Sequence, residues 1–375
     1  MKKDAHYYAV LAFARACGFK KEAAHSVACA SQFVDDAKIN HIILKEKPAN
    51  IEFETIDEKP TFFNMATCHS YFKIKTFNFS AMTNNTCAFH FVPGCEGSSF
   101  VKKMRCKENK QVINNILRDA KEDDDLVKFG MVLHPFADTF AHQGFSGILS
   151  KVNDIRACET KTKVAGLITH KITQVLKWFW KKKFDKLFDS GMPAYGHGQA
   201  MQYPDLPYLK WSYKYDYSDE FSDKPKRSDN NNKDRFQKAF ENIKEHLEEY
   251  LSKHPEYKDD NFNFTDFDIL YKVLIKRGSD KKRIKNWKKL LLETNLLLKS
   301  DKAYKYDENL WLEQAFSNFD KKKFNNRKVT NAVLANKFNK SNWYKFYKAV
   351  KWYKKKFFKY CKEQGLDIPN EYNVD

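Results

Sequence analysis

His134-Pro-Phe-Ala-Asp138-Thr-Phe-Ala-His142 sets three metal-competent side chains four residues apart. At about 3.6 residues per turn that interval stacks them on one face of a helix, and the rest of the fold is read outward from this segment. Two imidazoles flanking a carboxylate gain little on a solvated surface. Neutral His nitrogen and ionised Asp oxygen are, however, what zinc and related hydrolytic ions take as ligands. Half-buried polar groups on an ordinary helix are the competing explanation. Pro135 removes a backbone donor and disfavours helical geometry at His134, which predicts a kink or a helix restart there.

Residues 5–17 are Ala-rich with helical character, and Gly18 is placed to end them in the left-handed conformation. A second helix, roughly 20–38, ends in Ser31-Gln-Phe-Val-Asp35-Asp36. So short a connection predicts an antiparallel hairpin, with His6 within reach of Asp35 or Asp36. Residues 40–97 mix periods, with alternating runs such as Tyr71-Phe-Lys-Ile-Lys-Thr-Phe-Asn-Phe79, and read as an irregular insertion holding a hairpin. Helices over about 99–122 and 125–146 follow, separated by Glu122-Asp-Asp-Asp125, an acidic run suited to a helix N-terminus. Residues 151–189 look helical, while 190–232 is loop-rich and closes on the polar run Asp229-Asn-Asn-Asn232. Further helices are expected at about 233–253, 265–277, 281–299, 307–319 and 341–364.

At 375 residues and 42% hydrophobic, with 32 Phe, the chain has apolar surface enough for a sizeable core, which excludes wholesale disorder. The net charge of +19 favours an anionic partner: a nucleic acid, an acidic membrane surface or a phosphorylated small molecule. A merely solvated Lys-rich surface is the plain alternative. The eight cysteines (17, 29, 68, 87, 95, 106, 158 and 361) stand singly without a Cys-x-x-Cys pair, which argues against a zinc knuckle or a dense disulfide scaffold. Met1-Lys-Lys-Asp-Ala-His6 is not an apolar export segment, and no run reaches the ~18 apolar residues of a membrane span. A cytoplasmic protein, or one exported without a cleaved leader, is expected, and not a transmembrane one.

Hydrolases that cleave phosphoesters commonly gather two or more ions, which takes more ligands than one helix supplies. Nine of the eleven histidines precede residue 229, so the chemistry is expected there. Further candidates are His6, Asp35, Asp36, His69, His90, His197 and Asp205. Phe33-Val34 before Asp35-Asp36 suggests that one of these carboxylates faces inward. In Gly196-His197-Gly198-Gln-Ala-Met-Gln-Tyr-Pro204-Asp205-Leu-Pro207, glycines allow close backbone approach at the His and prolines hold the Asp in a fixed loop.

His6-Tyr-Tyr, Gln32-Phe-Val-Asp-Asp36, Ala137-Asp-Thr-Phe-Ala-His-Gln-Gly-Phe-Ser-Gly147 and Gly196-His-Gly with Pro204-Asp-Leu-Pro207 together resemble a bacterial family of uncharacterised helical proteins. More distantly, the chain is similar to the helical zinc-dependent phospholipase C and single-strand nuclease superfamily. That superfamily's ligand order has counterparts in His6, Asp35 or Asp36, His69, His134, Asp138 and His142. There are departures. Those enzymes often use the mature N-terminal residue as a ligand after export, whereas no leader shows here. The last His follows Asp138 by only four residues, and the later His-x-x-x-Glu pair is absent, with His197 and Asp205 its nearest substitutes. The resemblance therefore implies one or two ions rather than three.

Leu176 to Phe188, Asn286-Trp-Lys-Lys-Leu-Leu-Leu and Asn342 to Tyr360 interleave Lys with Trp, Tyr and Phe. Such helices suit an anionic membrane surface or stacking on single-stranded bases, or they bury their aromatics in a core. The fold class expected is all-α: a multi-helix, metal-hydrolase-like domain over 1–228 with an irregular or small β insertion, and a basic, aromatic accessory region over 229–375. The expected function is metal-dependent hydrolysis of phosphoesters with one or two zinc or other divalent ions. The expected metal ligands are His6, Asp35, His69, His134, Asp138, His142, His197 and Asp205, with one of Asp35 and Asp36 binding metal while the other orients water. Phospholipid is the first substrate expected, with nucleotides or nucleic acid next. The non-enzymatic alternative is a membrane- or nucleic-acid-binding protein clamped by a structural metal. A His-Asp-type phosphohydrolase is disfavoured because no adjacent His-Asp dipeptide occurs.

Overall fold

The computed structural model describes residues 1–68, 78–160, 194–215 and 227–372, and in it the N-terminal hairpin forms. A π-helical stretch, Asp4–Ala9, runs into α1 (Val10–Ala16), Gly18 turns the chain at φ +98°, and α2 (Lys21–Asp36) returns. Every residue from Asp4 to Ala16 is buried, as a helix apolar on all sides must be. Next in the helical layer come α3 (Phe79–Ala81), a π-helical stretch Met82–Cys87 and α4 (Ala88–His90), continuous in sequence, then α5 (Phe100–Lys103) and α6 (Gln111–Glu122).

Helix α7 (Leu126–Ala141) carries the opening motif. Its N-terminus is capped by Asp125, whose side chain accepts from the backbone N–H groups of Val127 and Lys128 at 3.0 and 3.1 Å. It crosses α2 so closely that a Cβ on Gly130 would lie 2.3 Å from the Val27 carbonyl oxygen. Only glycine lets the two backbones meet there. The helix runs unbroken through Pro135, correcting the expected restart. Residues 129–141 are all buried, and packing on every side outweighs one lost backbone hydrogen bond.

The all-α expectation is overturned: about half of the chain is helix, but two small sheets among the described residues make the fold mixed α/β. The first has the order β2-β3-β1-β7, from β1 (His41–Leu44), β2 (Glu54–Ile56), β3 (Lys59–Phe63) and β7 (Lys328–Ala332). Strands β2 and β3 form a hairpin whose two turn residues, Asp57 and Glu58, both have positive φ, the backbone that a two-residue turn matched to strand twist requires. Strand β7 joins β1 in parallel, with His41 opposite Lys328. The second sheet is antiparallel, β4 (Ile155–Thr160), β5 (Lys210–Tyr215) and β6 (Arg227–Asn231). The described part of the segment read as a 151–189 helix is thus a 3₁₀ turn and a strand, and the supposed loop over 190–232 holds β5 and β6. Runs of four to six residues are too short for their period to separate strand from helix. The alternating Tyr71–Phe79 run falls mostly outside the described residues.

After residue 229 the helices lie close to where the sequence places them: α8 (Asn232–Lys253), α9 (Phe267–Leu274), α10 (Asp280–Glu293), α11 (Leu310–Ala315) and α12 (Asn342–Glu363). They share one core with the N-terminal hairpin. The Phe13 ring packs on Phe240 at 5.1 Å, and buried Arg283 donates twice to Asp4, at 2.6 and 2.9 Å. The 228/229 boundary follows composition, whereas the core runs across it. In α12, Trp343, Tyr344, Phe346, Tyr347, Tyr353, Phe357, Phe358 and Tyr360 are buried, as is Trp287 in α10. These aromatics are core and the lysines between them mostly face water, while the Leu176–Phe188 run lies outside the described residues. Among the described residues no helix is long and apolar enough to cross a membrane.

Candidate metal centre

Helix α7 delivers His134 and Asp138 on one face and His142 at its C-cap, all buried. Its packing against α2 brings up Asp35 from the last turn of that helix. His6 lies within the first π-helical stretch and stacks on His134, ring centroids 3.7 Å apart. His90 follows the second such stretch, and π-helical turns recur at functional sites.

The Gln143-Gly-Phe-Ser-Gly147 run after His142 is a docking strip for the His197 loop. Gly196 donates its N–H to the Ser146 carbonyl (3.0 Å), and Ser150 to that of Ala194 (2.9 Å). The Asp205 loop is pinned by buried Asn232. Its side-chain amide donates to the Tyr203 and Leu206 carbonyls (2.6 and 2.8 Å), and its oxygen accepts from Trp211 Nε1 (2.9 Å).

Hydrogen bonds to carbonyls fix the tautomers of four rings. Nδ1–H of His134 donates to Ser31 O (2.8 Å), that of His142 to His90 O (2.7 Å), and that of His197 to Met201 O (2.6 Å). His90 donates Nε2–H to Thr67 O (3.0 Å). A carbonyl oxygen only accepts, so in each neutral ring the other nitrogen is bare. These bare nitrogens converge. His90 Nδ1 and His134 Nε2 are 3.3 Å apart, and lie 3.2 and 3.3 Å from Asp138 Oδ2. Asp35 Oδ1 is 4.0 and 3.7 Å from the same two nitrogens.

Beyond Asp138, His142 Nε2 is 3.0 Å from Asp205 Oδ1 and His197 Nε2 is 3.6 Å from Oδ2. The Met1 α-amino nitrogen stands between the halves, 2.5 Å from Asp138 Oδ1, 3.1 Å from Asp205 Oδ1 and 3.5 Å from His142 Nε2. His6 Nε2 reaches Asp138 Oδ1 at 3.1 Å, while its buried Nδ1 has no partner among the described residues.

Two groups follow, Asp35-His90-His134 and His142-His197-Asp205, each with its ligand atoms within 4.8 Å of one another, and Asp138 lies between them. A third, His6-His134-Asp138, competes with the first for the single lone pair of His134. Imidazole nitrogens and carboxylates with outer nitrogens tied to carbonyls are a donor set that fits zinc or a similar ion.

The chain belongs to a family of unknown function, DUF6765, whose model matches residues 1–361. No curated protein and no solved structure matches it.

In this DUF6765 chain the ionisation of the centre follows from burial and neighbours. Burial lowers the pKa of His6 and His197 to about 4 and also lowers that of His90. His134 goes the other way. Burial opposes its charge, but the Asp35 and Asp138 carboxylates outweigh burial and raise its pKa. Asp138 stays well below the usual carboxylate range despite burial, because His142, the Met1 ammonium and His134 surround it, and Asp205 does so beside Met1 and His197. Burial also opposes the Met1 charge, yet those two carboxylates raise its amine to about 11.

His6, Asp35, His134, Asp138, His142, His197 and Asp205 are thus brought together. Asp36 is not: its carboxylate accepts from Tyr306 OH (2.8 Å) and Gln32 Nε2 (3.2 Å). His69 lies outside the described residues. Two participants fall outside the expected ligand set. His90 was a candidate by residue type, but the superfamily's ligand order pointed to His69. The Met1 amine had its one signal in that superfamily's use of an N-terminal residue.

Proposed function

We propose that this protein is a metal-dependent hydrolase of phosphoesters that works with two divalent cations, zinc being the first choice. The supporting observation is the convergence of unprotonated ring nitrogens with Asp35, Asp138 and Asp205. Lone pair faces lone pair at 3.2 to 3.3 Å around Asp138 Oδ2, an arrangement that only a cation, or a proton in its stead, relieves. The centre also has one open edge. The Asp35 side chain is 31% exposed, whereas those of His90, His134 and Asp138 are 2% or less. A structural zinc site is closed by protein ligands, so an open edge favours a reacting site. When bound, such ions acidify water and stabilise charge on phosphoryl oxygens.

In this reading Asp138 ties the two groups together, and the Ser31, Thr67, His90 and Met201 carbonyls hold the rings in one tautomer. Asp35 serves the open edge, with one oxygen toward the imidazoles and the other left to orient water and take its proton. Asp36, held by Tyr306 and Gln32, has no part in this. An anionic phospholipid is the first substrate to test, on the superfamily resemblance alone, because the aromatics of α10 and α12 are interior. Nucleotides and single-stranded nucleic acid come next.

The test is elemental analysis of purified protein, followed by a panel of bis(p-nitrophenyl) phosphate, phospholipid vesicles, nucleotides and oligonucleotides. Stoichiometric ion, with turnover that a chelator abolishes and zinc restores, supports the reading. Stoichiometric ion with no turnover across the panel replaces the enzyme by a protein with a structural metal. Absence of any ion defeats both.

A further inference from the structure

We propose that Asp124, His254 and Glu256 form a separate site for a divalent cation of the zinc or manganese class, which ties the α6–α7 junction to the end of α8. The site shares no ligand with the centre on α7 and does not depend on the phosphoester reading. It lies beyond the N-terminal end of α7, about 15 Å of helix before His134.

Three segments distant in sequence meet there. Asp124 stands in the junction between α6 and α7, one residue before the Asp125 cap. His254 caps the C-terminus of α8, and Glu256 lies in the 3₁₀ turn Pro255–Tyr257 that follows. That turn also holds the α1–α2 connection. Lys20 donates its N–H to Tyr257 O (2.8 Å) and its ammonium to Glu256 O (2.7 Å), and Asp259 N–H donates to Gly18 O (2.7 Å). Tyr257 OH donates to the Asp124 carboxylate, so turn and junction are already in contact. One donor atom from each of Asp124, His254 and Glu256 lies within 4.8 Å of the other two.

His254 shows that these atoms are aimed at a ligand. It is 8% exposed, and its Nε2–H donates to Lys121 O at 2.9 Å. A carbonyl oxygen only accepts, so in the neutral ring Nδ1 is bare, the arrangement that outer-nitrogen contacts give to metal-binding imidazoles. Nδ1 makes no hydrogen bond among the described residues and faces Glu256 Oε1 at 3.8 Å. That is too long for a hydrogen bond, yet close to the roughly 3–3.5 Å that separates two donors each about 2.1 Å from one ion. The neighbouring acidic residues are otherwise matched: Glu122 pairs with Lys253, Asp123 pairs with Lys128, and Asp125 caps α7. Asp124 and Glu256 have no Lys or Arg side-chain partner among the described residues, in a chain of net charge +19.

Two carboxylates balance the charge of a divalent ion, and the imidazole selects for zinc or manganese over calcium and magnesium, which favour oxygen donors. Three protein donors leave positions for water, and both carboxylates are exposed. The ion therefore exchanges readily and is taken up at higher free metal than the buried centre requires. The competing explanation is that the Lys121 and Tyr257 hydrogen bonds alone join the segments and the two carboxylates are merely solvated.

The probe is zinc, equilibrated by dialysis at buffered free concentrations with full-length wild type, D124N, E256Q, H254Q and D138N, and counted by elemental analysis. Wild type is expected to take up one ion beyond those of the α7 centre, with affinity for it at least about tenfold lower in D124N, E256Q and H254Q. In D138N this ion remains. Should H254Q fail to fold, the exposed substitutions D124N and E256Q carry the comparison. Wild-type uptake in folded D124N and E256Q overturns the proposal. So does an ion retained at wild-type affinity by folded H254Q, which marks carboxylates acting alone, or its loss in D138N, which assigns it to the α7 centre. If the α7 centre takes no ion while E256Q loses one, this site stands and the hydrolase reading falls. If the α7 centre fills and no further ion binds, the hydrolase reading stands and this site falls.

Discussion

Replacing Asp138 by Asn keeps the shape of the side chain and removes one negative charge from the middle of the centre. Its carboxylate faces the Met1 ammonium at 2.5 Å, His6 at 3.1 Å, His90 at 3.2 Å and His134 at 3.3 Å, and is 1% exposed. Without ions, breaking the buried pair with Met1 costs about 3–5 kcal/mol. With ions present at about a hundred times their dissociation constants, each bound ion adds about 2.7 kcal/mol to wild-type stability. At about 2.1 cal/mol/K per residue, a chain of 375 residues unfolds with an entropy of about 0.8 kcal/mol/K, so each ion raises Tm by about 3 °C. Chelation is therefore expected to lower the wild-type Tm by about 7 °C for two ions. The D138N protein is expected to melt about 4–6 °C below chelated wild type and to respond weakly to chelator. Scanning fluorimetry with and without chelator, paired with elemental analysis, reads both effects. A D138N protein that binds the wild-type number of ions and shows the wild-type chelator shift would refute the shared-carboxylate reasoning.

The neighbouring pair Asp35-Asp36 separates by partner. D35N is expected to lose an ion and at least about a hundredfold in phosphoesterase rate, whereas D36N keeps its ions and loses only the Tyr306 and Gln32 contacts, about 1–2 kcal/mol; equal ion loss in both contradicts the assignment. G130A forces α2 and α7 apart, where a Cβ would lie 2.3 Å from Val27 O. A destabilisation of about 2–3 kcal/mol in urea, with weakened ion binding by the Asp35-His90-His134 group, is expected, and a neutral substitution would show that the crossing is loose. N232A leaves Trp211 Nε1–H and two loop carbonyls unpaired, costing about 3 kcal/mol or more, and is expected to lower ion content from two to one by releasing the Asp205 loop. In chelated protein, His6 and His197 titrate near 6.5 unfolded and about 4 folded, so the unfolded chain binds more protons between those values and stability falls on acidification. The limiting slope for the two is about 2.7 kcal/mol per pH unit, whereas His134, whose value is raised, acts mainly above pH 6.5, where it favours the folded state as pH falls. Urea midpoints unchanged from pH 6.5 to 4.5 would contradict that burial.

What was legible in the sequence is what has a local period. The interval His134-Asp138-His142 states a helix face, Gly18 states a turn, and the helices after residue 229 fall close to their expected bounds. Apart from a hairpin expected within residues 40–97, where β2 and β3 pair, the strands were not legible, for a physical reason. Ile42 and Leu44 in β1 alternate toward the core over only four residues, and their parallel partner β7 lies almost three hundred residues later, where no local pattern announces it. Trp211, Tyr213 and Tyr215 do alternate inward, but Pro204 and Pro207 before them favoured a loop. At the centre, residue type could nominate a histidine but not its direction. His90 enters because a π-helical stretch precedes it and the Thr67 carbonyl takes its Nε2–H, facts that belong to the fold.

The run Asp229-Asn-Asn-Asn232 shows why composition misleads about where a site ends. By residue type it is a solvated junction. In the fold its first three residues belong to β6, and its last is fully buried, its amide nitrogen donating to the loop that presents Asp205 and its oxygen accepting from Trp211 of β5. Asp4, two residues before His6, is likewise gripped by Arg283 from α10. The centre proposed for the first two hundred residues therefore depends on the last hundred and fifty for the position of its ligands. A chain cut at 228 would keep His6, Asp35, His90, His134, Asp138, His142, His197 and Asp205 yet lose the groups that hold His6 and Asp205 in place. Donor atoms bind an ion tightly only when their geometry is fixed beforehand, so retaining every ligand in such a fragment does not retain the site.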